Sequence, residues 1–152
     1  FRRLAAQAPP GGYAARKAPR YLEVLEGWRP SGRALPDALA LSERLFNAGL
    51  YFDTHEYLES AWKEAPGPWK LCLQGLIQLG AGLHKLELDP EGRAGALYLL
   101  ERGLQKLKAR PELLGKDILS GIEKDLKPVL TAIRTSKNFK PPRLNIGVRP
   151  QC

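Results

Sequence analysis

From Pro36 onward the apolar residues return every three or four positions, and no stretch alternates in the two-residue rhythm of a strand. Pro36-Asp37 opens a first helix with Ala38, Leu41 and Leu45 on one side and Leu39, Phe46 and Leu50 on another, stopped by Asn47-Ala48-Gly49. Two apolar sides call for packing partners on two flanks. A second helix is expected from Asp53, where Asp53-Thr54-His55-Glu56 reads as a cap followed three residues later by a carboxylate, and it ends before Pro66-Gly67-Pro68. The third, Pro68 to Leu88, carries Leu71, Leu73, Leu76, Ile77, Leu79, Leu83 and Leu86 around most of its circumference, which makes it the central one. Asp89-Pro90-Glu91 opens a fourth with Leu97, Leu100, Leu104 and Leu107 over a polar back, closed by Pro111. A fifth aligns Ile118, Ile122, Leu126, Val129 and Ile133, with Pro128 expected to kink or break it. Short connections between such helices predict an all-α, antiparallel up-and-down bundle of about five helices.

A length of 152 residues suits one domain with a real core. Charge divides it. Residues 36–136 hold 13 Lys/Arg against 14 Asp/Glu, residues 1–35 hold 7 against 2, and residues 137–152 hold 4 against none, so the net +8 resides in the ends. The expected organisation is a basic, Pro/Gly-rich N-terminal arm (1–35), a helical bundle domain (36–136) and a basic C-terminal tail (137–152), both arms extended. Aromatic residues among those charges (Tyr13, Tyr21, Trp28, Phe139) could contact phosphates and stack on bases, although solvated or packing extensions are the commoner meaning of such segments. The longest apolar run, Leu71 to Leu83, is interrupted by Gln74 and Gln78 and falls short of the roughly 20 residues of a membrane span. Cys72 and Cys152 form neither a disulfide framework nor a thiolate cluster, which fits a reducing cytoplasm. The first 22 residues, with five Arg/Lys and no acid, leave organelle import after transit-peptide removal as the lesser alternative.

Candidate chemistry concentrates on polar residues placed on helices otherwise built for burial. His55 and Glu59, four apart, lie side by side on one stripe with Trp62, a stripe expected to face the interior, where a charged pair needs a partner. Gln74 and Gln78 repeat the four-residue spacing on the central helix, and His84 sits on its neighbouring stripe. An imidazole or two and a carboxylate, with water in the remaining positions, suit an open zinc or ferrous site formed by His55, Glu59 and His84, with Trp62, Gln74 and Gln78 as supporting or ligand-binding residues. Gln74 and His84 are about 15 Å apart along a helix and do not share one ion. A hydrogen-bonded core network that merely holds helices in register explains the same residues without any ligand. Asp53 and Glu56 are assigned to the helix cap. Gly75, Gly80 and Gly82 on the central helix point to close approach of a neighbour, because each glycine inside a helix costs about 1 kcal/mol relative to alanine. There is no phosphate-cradling glycine loop, no nucleophile elbow and no H-E-x-x-H, since Glu59 stands where the second histidine would be.

The run Phe46-Asn47-Ala48-Gly49-Leu50-Tyr51-Phe52-Asp53-Thr54-His55-Glu56-Tyr57-Leu58-Glu59-Ser60-Ala61-Trp62, followed by Leu73-Gln74-Gly75-Leu76-Ile77-Gln78, resembles the bacterial and archaeal family catalogued as domain of unknown function 309. The resemblance spans about residues 40–107 and implies a small helical protein in which an H-x-x-x-E-x-x-(W/Y) motif is functional and binds metal. It falls here on His55, Glu59 and Trp62, with the two glutamines as weaker candidates. It brings no substrate and no activity, and it does not reach the basic arms.

The expected function is therefore a cytoplasmic helical protein whose buried His/Glu/Gln site binds a divalent metal, zinc or iron, or a small polar ligand. In an enzymatic version Glu59 serves as ligand or general base and His55 as ligand or acid–base group. The alternative is a non-catalytic interaction module whose basic arms hold nucleic acid or an acidic partner, nucleic acid being the less favoured. A homo-oligomer built on the first helix's second apolar side is compatible with either, and no membrane association is expected.

Overall fold

A computed structural model describes residues 12–147. Those residues form seven helices and no strand: α1 (Tyr13–Leu25), α2 (Ala34–Asn47), α3 (Tyr51–Glu64), α4 (Gly67–Leu88), α5 (Arg93–Ala109), the single turn α6 (Pro111–Leu114) and α7 (Lys116–Arg134). The all-α expectation holds, with more helices than the five read from the sequence. No helix among the described residues is long and apolar enough to cross a membrane.

The entry to α2 is organised by Asp37, whose carboxylate accepts hydrogen bonds from the Ser31 and Gly32 amides at 2.9 and 3.0 Å. Its exit is a left-handed Gly49 (φ 70°), with the Gly49 and Leu50 amides closing back onto Phe46 and Leu45. The turn is so tight that α3 begins at Tyr51, two residues before the predicted start, because the Thr54 amide and hydroxyl both bond the Leu50 carbonyl. Asp53 therefore sits inside the first turn rather than at the cap, and no side chain caps this helix. Helix α7 continues through Pro128 to Arg134, so of the break or kink expected there the break does not occur. Val129, Leu130 and Ile133 remain buried beyond it, and that packing holds the turn the proline weakens.

Helix α4 is the axis of the molecule. It lies between α3 and α5, antiparallel to both: Gly80 abuts Tyr51 and His55 while Lys70 reaches the far end of α3, and Gly75 abuts Gly103 and Leu107 while Gly82 abuts Ala96 and Leu100. The contacts are too close for larger residues. A Cβ on Gly75 would stand 2.8 Å from the Gly103 carbonyl oxygen, and one on Gly103 would stand 2.7 Å from that of Gly75. The glycines thus lower the intrinsic helix propensity of α4 and α5 in exchange for backbone-to-backbone contact, and Leu73, Leu76, Leu79 and Leu100 are fully buried around the seam.

The described parts of the two arms pack against the bundle through residues 17–24 and 142–146, where extended segments were expected. Helix α1 lays Val24 against Leu41, Leu45 and Leu50, covering the Leu41/Leu45 side of α2, while Leu39 and Phe46 on the other side pack into the main core. Lys17, only 8% exposed, donates to the Gly49 carbonyl at 2.6 Å and to Glu87 at 2.7 Å, and Arg44 binds the Val24 and Glu26 carbonyls at the end of α1. At the other end, residues 142–146 alternate inward and outward, burying Pro142, Leu144 and Ile146. The Asn47 amide imitates a strand partner, donating to the Leu144 carbonyl and accepting from its amide, both at 2.7 Å, and Glu43 takes the Ile146 amide at 2.7 Å. Phe1 to Gly11 and Val148 to Cys152, including the remainder of both basic segments, lie outside the described residues.

Gly75→Ala is expected to lower stability by about 1–3 kcal/mol, since its methyl group meets a carbonyl that cannot move without separating α4 from α5. Gly121→Ala, in open space on α7, is expected to raise stability by about 0.5–1 kcal/mol. Urea unfolding of the two variants beside the parent measures both, and the same sign of change in the two would refute the close-approach assignment.

Candidate functional site

The buried stripe of α3 is Tyr51, Thr54 and Leu58; His55, Glu59 and Trp62 lie on the adjoining flank. That offset decides the character of the motif. The His55 side chain is 26% exposed and that of Glu59 48% exposed, so the pair stands at the rim of the α3–α4 groove instead of in the core expected for it. The imidazole is bracketed by carboxylates of its own helix, Nδ1 3.2 Å from Glu56 and Nε2 3.3 Å from Glu59. A singly protonated ring can donate to only one of them. Glu56, assigned from the sequence to a capping role, faces His55 and is exposed.

Below Glu59, the side chains of Trp62, Gln74, Gln78 and Lys106 converge on a cavity of about 340 Å³ between α3, α4 and α5. Two of these lining residues each carry a buried polar atom without any hydrogen-bond partner among the described residues: the indole N–H of Trp62 and the amide oxygen of Gln78. The indole is pinned by Lys70, whose ammonium lies 4.6 Å from the ring centroid and donates to the carbonyls of Trp62 and Lys63, each at 3.1 Å. Gln74 accepts from the Lys106 ammonium at 3.4 Å. The structure therefore brings Glu59, Trp62, Gln74 and Gln78 to one place, with His55 beside them through Glu59. Lys106 was not singled out from the sequence. The signal was its position one turn after Gly103, on the face of α5 that meets α4.

His84 does not join this group. The antiparallel register puts Gly80 level with Tyr51 and His55, so His84 falls a turn further on, with Phe52 packed against it at 5.1 Å and against His55 at 6.5 Å. Its Nδ1 is 3.4 Å from Glu87, the residue that also takes Lys17. Asp53 belongs to the same neighbourhood and accepts the Tyr21 hydroxyl at 2.8 Å. Burial raises its pKa above the ordinary 3.8, against the lowering effect of that hydrogen bond and of nearby Lys17 and His84. The Tyr51 hydroxyl beside it is pushed up to about 12 by burial and by the charge of Glu87. These groups fasten α1 onto α3 and α4.

With this geometry in hand, the comparisons can be placed on it. Residues 41–99 match the model of the family described as Domain of unknown function (DUF309). The resemblance read from the sequence is borne out over that stretch. The matched segment takes in the second half of α2, all of α3 and α4 and the start of α5, and with them every lining residue named above except Lys106; α1 and the docked tail lie outside it. No curated protein and no solved structure matched the chain.

The donor chemistry that the DUF309 resemblance implies is present in part. One imidazole nitrogen and one oxygen each from Glu56 and Glu59 lie within 4.8 Å of one another, a nitrogen-and-oxygen set compatible with zinc or ferrous iron. The hydroxyl of Ser60 and the thiol of Cys72 are poor nucleophiles here. Ser60 donates to the Glu56 carbonyl of its own helix at 3.3 Å, and burial pushes the Cys72 thiol up to about 12, leaving it protonated and inert at neutral pH.

Asp53→Asn keeps an acceptor for Tyr21 and removes the buried charge. A carboxyl whose pKa is raised by folding is protonated more readily in the native state, so its burial cost is absent at and below the ordinary pKa of 3.8 and grows as pH rises above it. The variant is expected to melt no lower than the parent at pH 7, with any advantage fading as the pH approaches 3.8. Paired thermal melts across that range check this; a variant less stable at pH 7 would mean that Lys17 and His84 outweigh the burial.

Proposed function

We propose that this protein binds a small polar ligand in the cavity between α3, α4 and α5, with Glu59 at its mouth and His55 orienting that carboxylate. The supporting observation is that two residues lining it, Trp62 and Gln78, each carry a buried polar atom with no partner among the described residues, the indole N–H and the amide oxygen. Leaving such an atom unsatisfied costs about 1–3 kcal/mol, a cost that selection for stability alone would remove by substituting an apolar residue. The volume of about 340 Å³ is at the small end of ligand cavities, and its mixture of one indole, one isoleucine and several polar groups suits a compact polar molecule. The core-network alternative fits less well, since a network has its members satisfied.

A divalent cation at His55, Glu56 and Glu59 is the second reading, favoured by the 4.8 Å convergence of their donor atoms. The two are compatible, because Glu59 has a second oxygen.

Gln78→Met, which keeps volume and removes the orphan acceptor, is expected to stabilise the ligand-free protein by about 1 kcal/mol. Chemical denaturation gives the value, and a loss of that size instead would make Gln78 part of a structural network and end the proposal. For the cation, metal content of protein purified without chelator is expected to disappear in His55→Ala; equal content in the two would exclude the rim as its site.

A further inference from the structure

A second concave surface, of about 590 Å³, lies between α7 and the segment that follows it, and its charge is largely of one sign. Lys124, Lys140 and Arg143 line it against a single carboxylate, Asp125. All three cations are exposed, and none forms an ion pair among the described residues, whereas Lys108 and Arg134 nearby in the fold are paired with Glu123 and Glu101. Lys127 and Lys137, chain neighbours of the lining residues Pro128 and Asn138, are exposed as well. The apolar part of the groove is Phe139, half-buried against the core, with Pro128 and Pro141. Docking of the tail is what gathers these charges. Pro142, Leu144 and Ile146 turn inward, so Arg143 turns outward, and Asn47 holds Leu144 through two hydrogen bonds of 2.7 Å. Lys140 and Arg143, three residues apart, are at most about 10 Å from each other along the backbone. Cations that a free arm would disperse are thus fixed around one ring, at a cost in mutual repulsion that a bound polyanion would relieve.

We infer that this groove holds a segment of single-stranded nucleic acid, with phosphates against Lys124, Lys140 and Arg143 and a base on Phe139. The inference goes beyond the ligand-binding reading and shares no residue with that cavity. A strand of this kind offers repeated negative charge and an unstacked aromatic face together, which is the combination the groove complements. An acidic peptide would meet the cations and leave the ring and prolines without a matching surface. A duplex would meet the cations too, but it keeps its bases stacked away from Phe139.

The test is a titration of the full chain into a short fluorescein-labelled oligothymidylate, read by fluorescence anisotropy at several salt concentrations. Binding is expected to weaken as salt rises, with a slope of log K on log[salt] near about −2 for three phosphate contacts on a single strand. Lys124→Gln combined with Lys140→Gln is expected to lower the affinity about tenfold or more. Arg102→Gln combined with Lys116→Gln removes the same charge from exposed positions outside the groove and is expected to lower it by less than about twofold. Phe139→Leu keeps an apolar side chain toward the core, removes the ring, and should cost about fivefold or more. If Phe139→Leu fails a thermal melt, the two double variants, all at exposed positions, decide alone. No binding at low salt overturns the inference, as do equal losses in the two double variants. Equal affinity for polyglutamate or for a DNA duplex of the same length overturns the single-strand assignment, as does a folded Phe139→Leu that binds like the parent.

Discussion

The backbone contact between Gly75 and Gly103 is the constraint on which the arrangement of this protein depends. With the two carbonyl oxygens 2.8 and 2.7 Å from where the opposing Cβ atoms would be, α4 and α5 pack as closely as helices can. Gly80 repeats the device on the other side of α4, where a Cβ would lie 3.2 Å from the Tyr51 carbonyl. One helix is thereby held against two neighbours in a fixed register. That register sets Gln78 level with His55, Gln74 level with Glu59 and beside Lys106, and His84 a turn beyond them. Close backbones also leave the larger flanking side chains, Trp62 among them, to splay outward around the seam, and the cavity lies where they do so.

Around that seam the described parts of the two arms close the fold with polar contacts as well as apolar ones. Lys17 bridges Gly49 and Glu87, Arg44 holds the last carbonyls of α1, and Asn47 and Glu43 supply the hydrogen bonds a neighbouring strand would give the tail. A buried ammonium needs such partners, since desolvation without them costs more than its packing returns. Basic residues that look like a solvated arm in the sequence are therefore partly structural. The same cluster takes His84 and Asp53 out of the candidate site and gives them a role in fastening α1.

The long helices were legible because their signals are redundant: α4 was read as Pro68 to Leu88 and spans Gly67–Leu88, with proline at one end and an apolar surface nearly all round. Helix α1 was not legible. Its inward positions, Lys17, Tyr21 and Val24, include a lysine that the pattern scores as polar, and Pro19 stands within it. The tail showed only three alternating inward residues, Pro142, Leu144 and Ile146, too few to read as a period. At the site, the spacing of His55, Glu59 and Trp62 gave the residues that meet but not their depth. A helix stripe is defined to within about one residue, or 100°, and that is the difference between a core pair and a rim pair.

That difference in depth changes what the motif can do. Buried, His55 and Glu59 would spend their interaction on each other and hold two helices together. At the rim, the Glu59 carboxylate is half solvated, held by His55 from one side and open to the cavity on the other. A carboxylate so placed is reachable from solvent, while the buried Trp62 and Gln78 atoms have no hydrogen-bond partner among the described residues. The H-x-x-x-E-x-x-W spacing is then a way of lining one mouth: the imidazole orients the acid, the acid faces the entrance, and the indole three residues on forms the wall. Each step follows from a rise of about 1.5 Å and a turn of about 100° per residue, without any of the three leaving its helix.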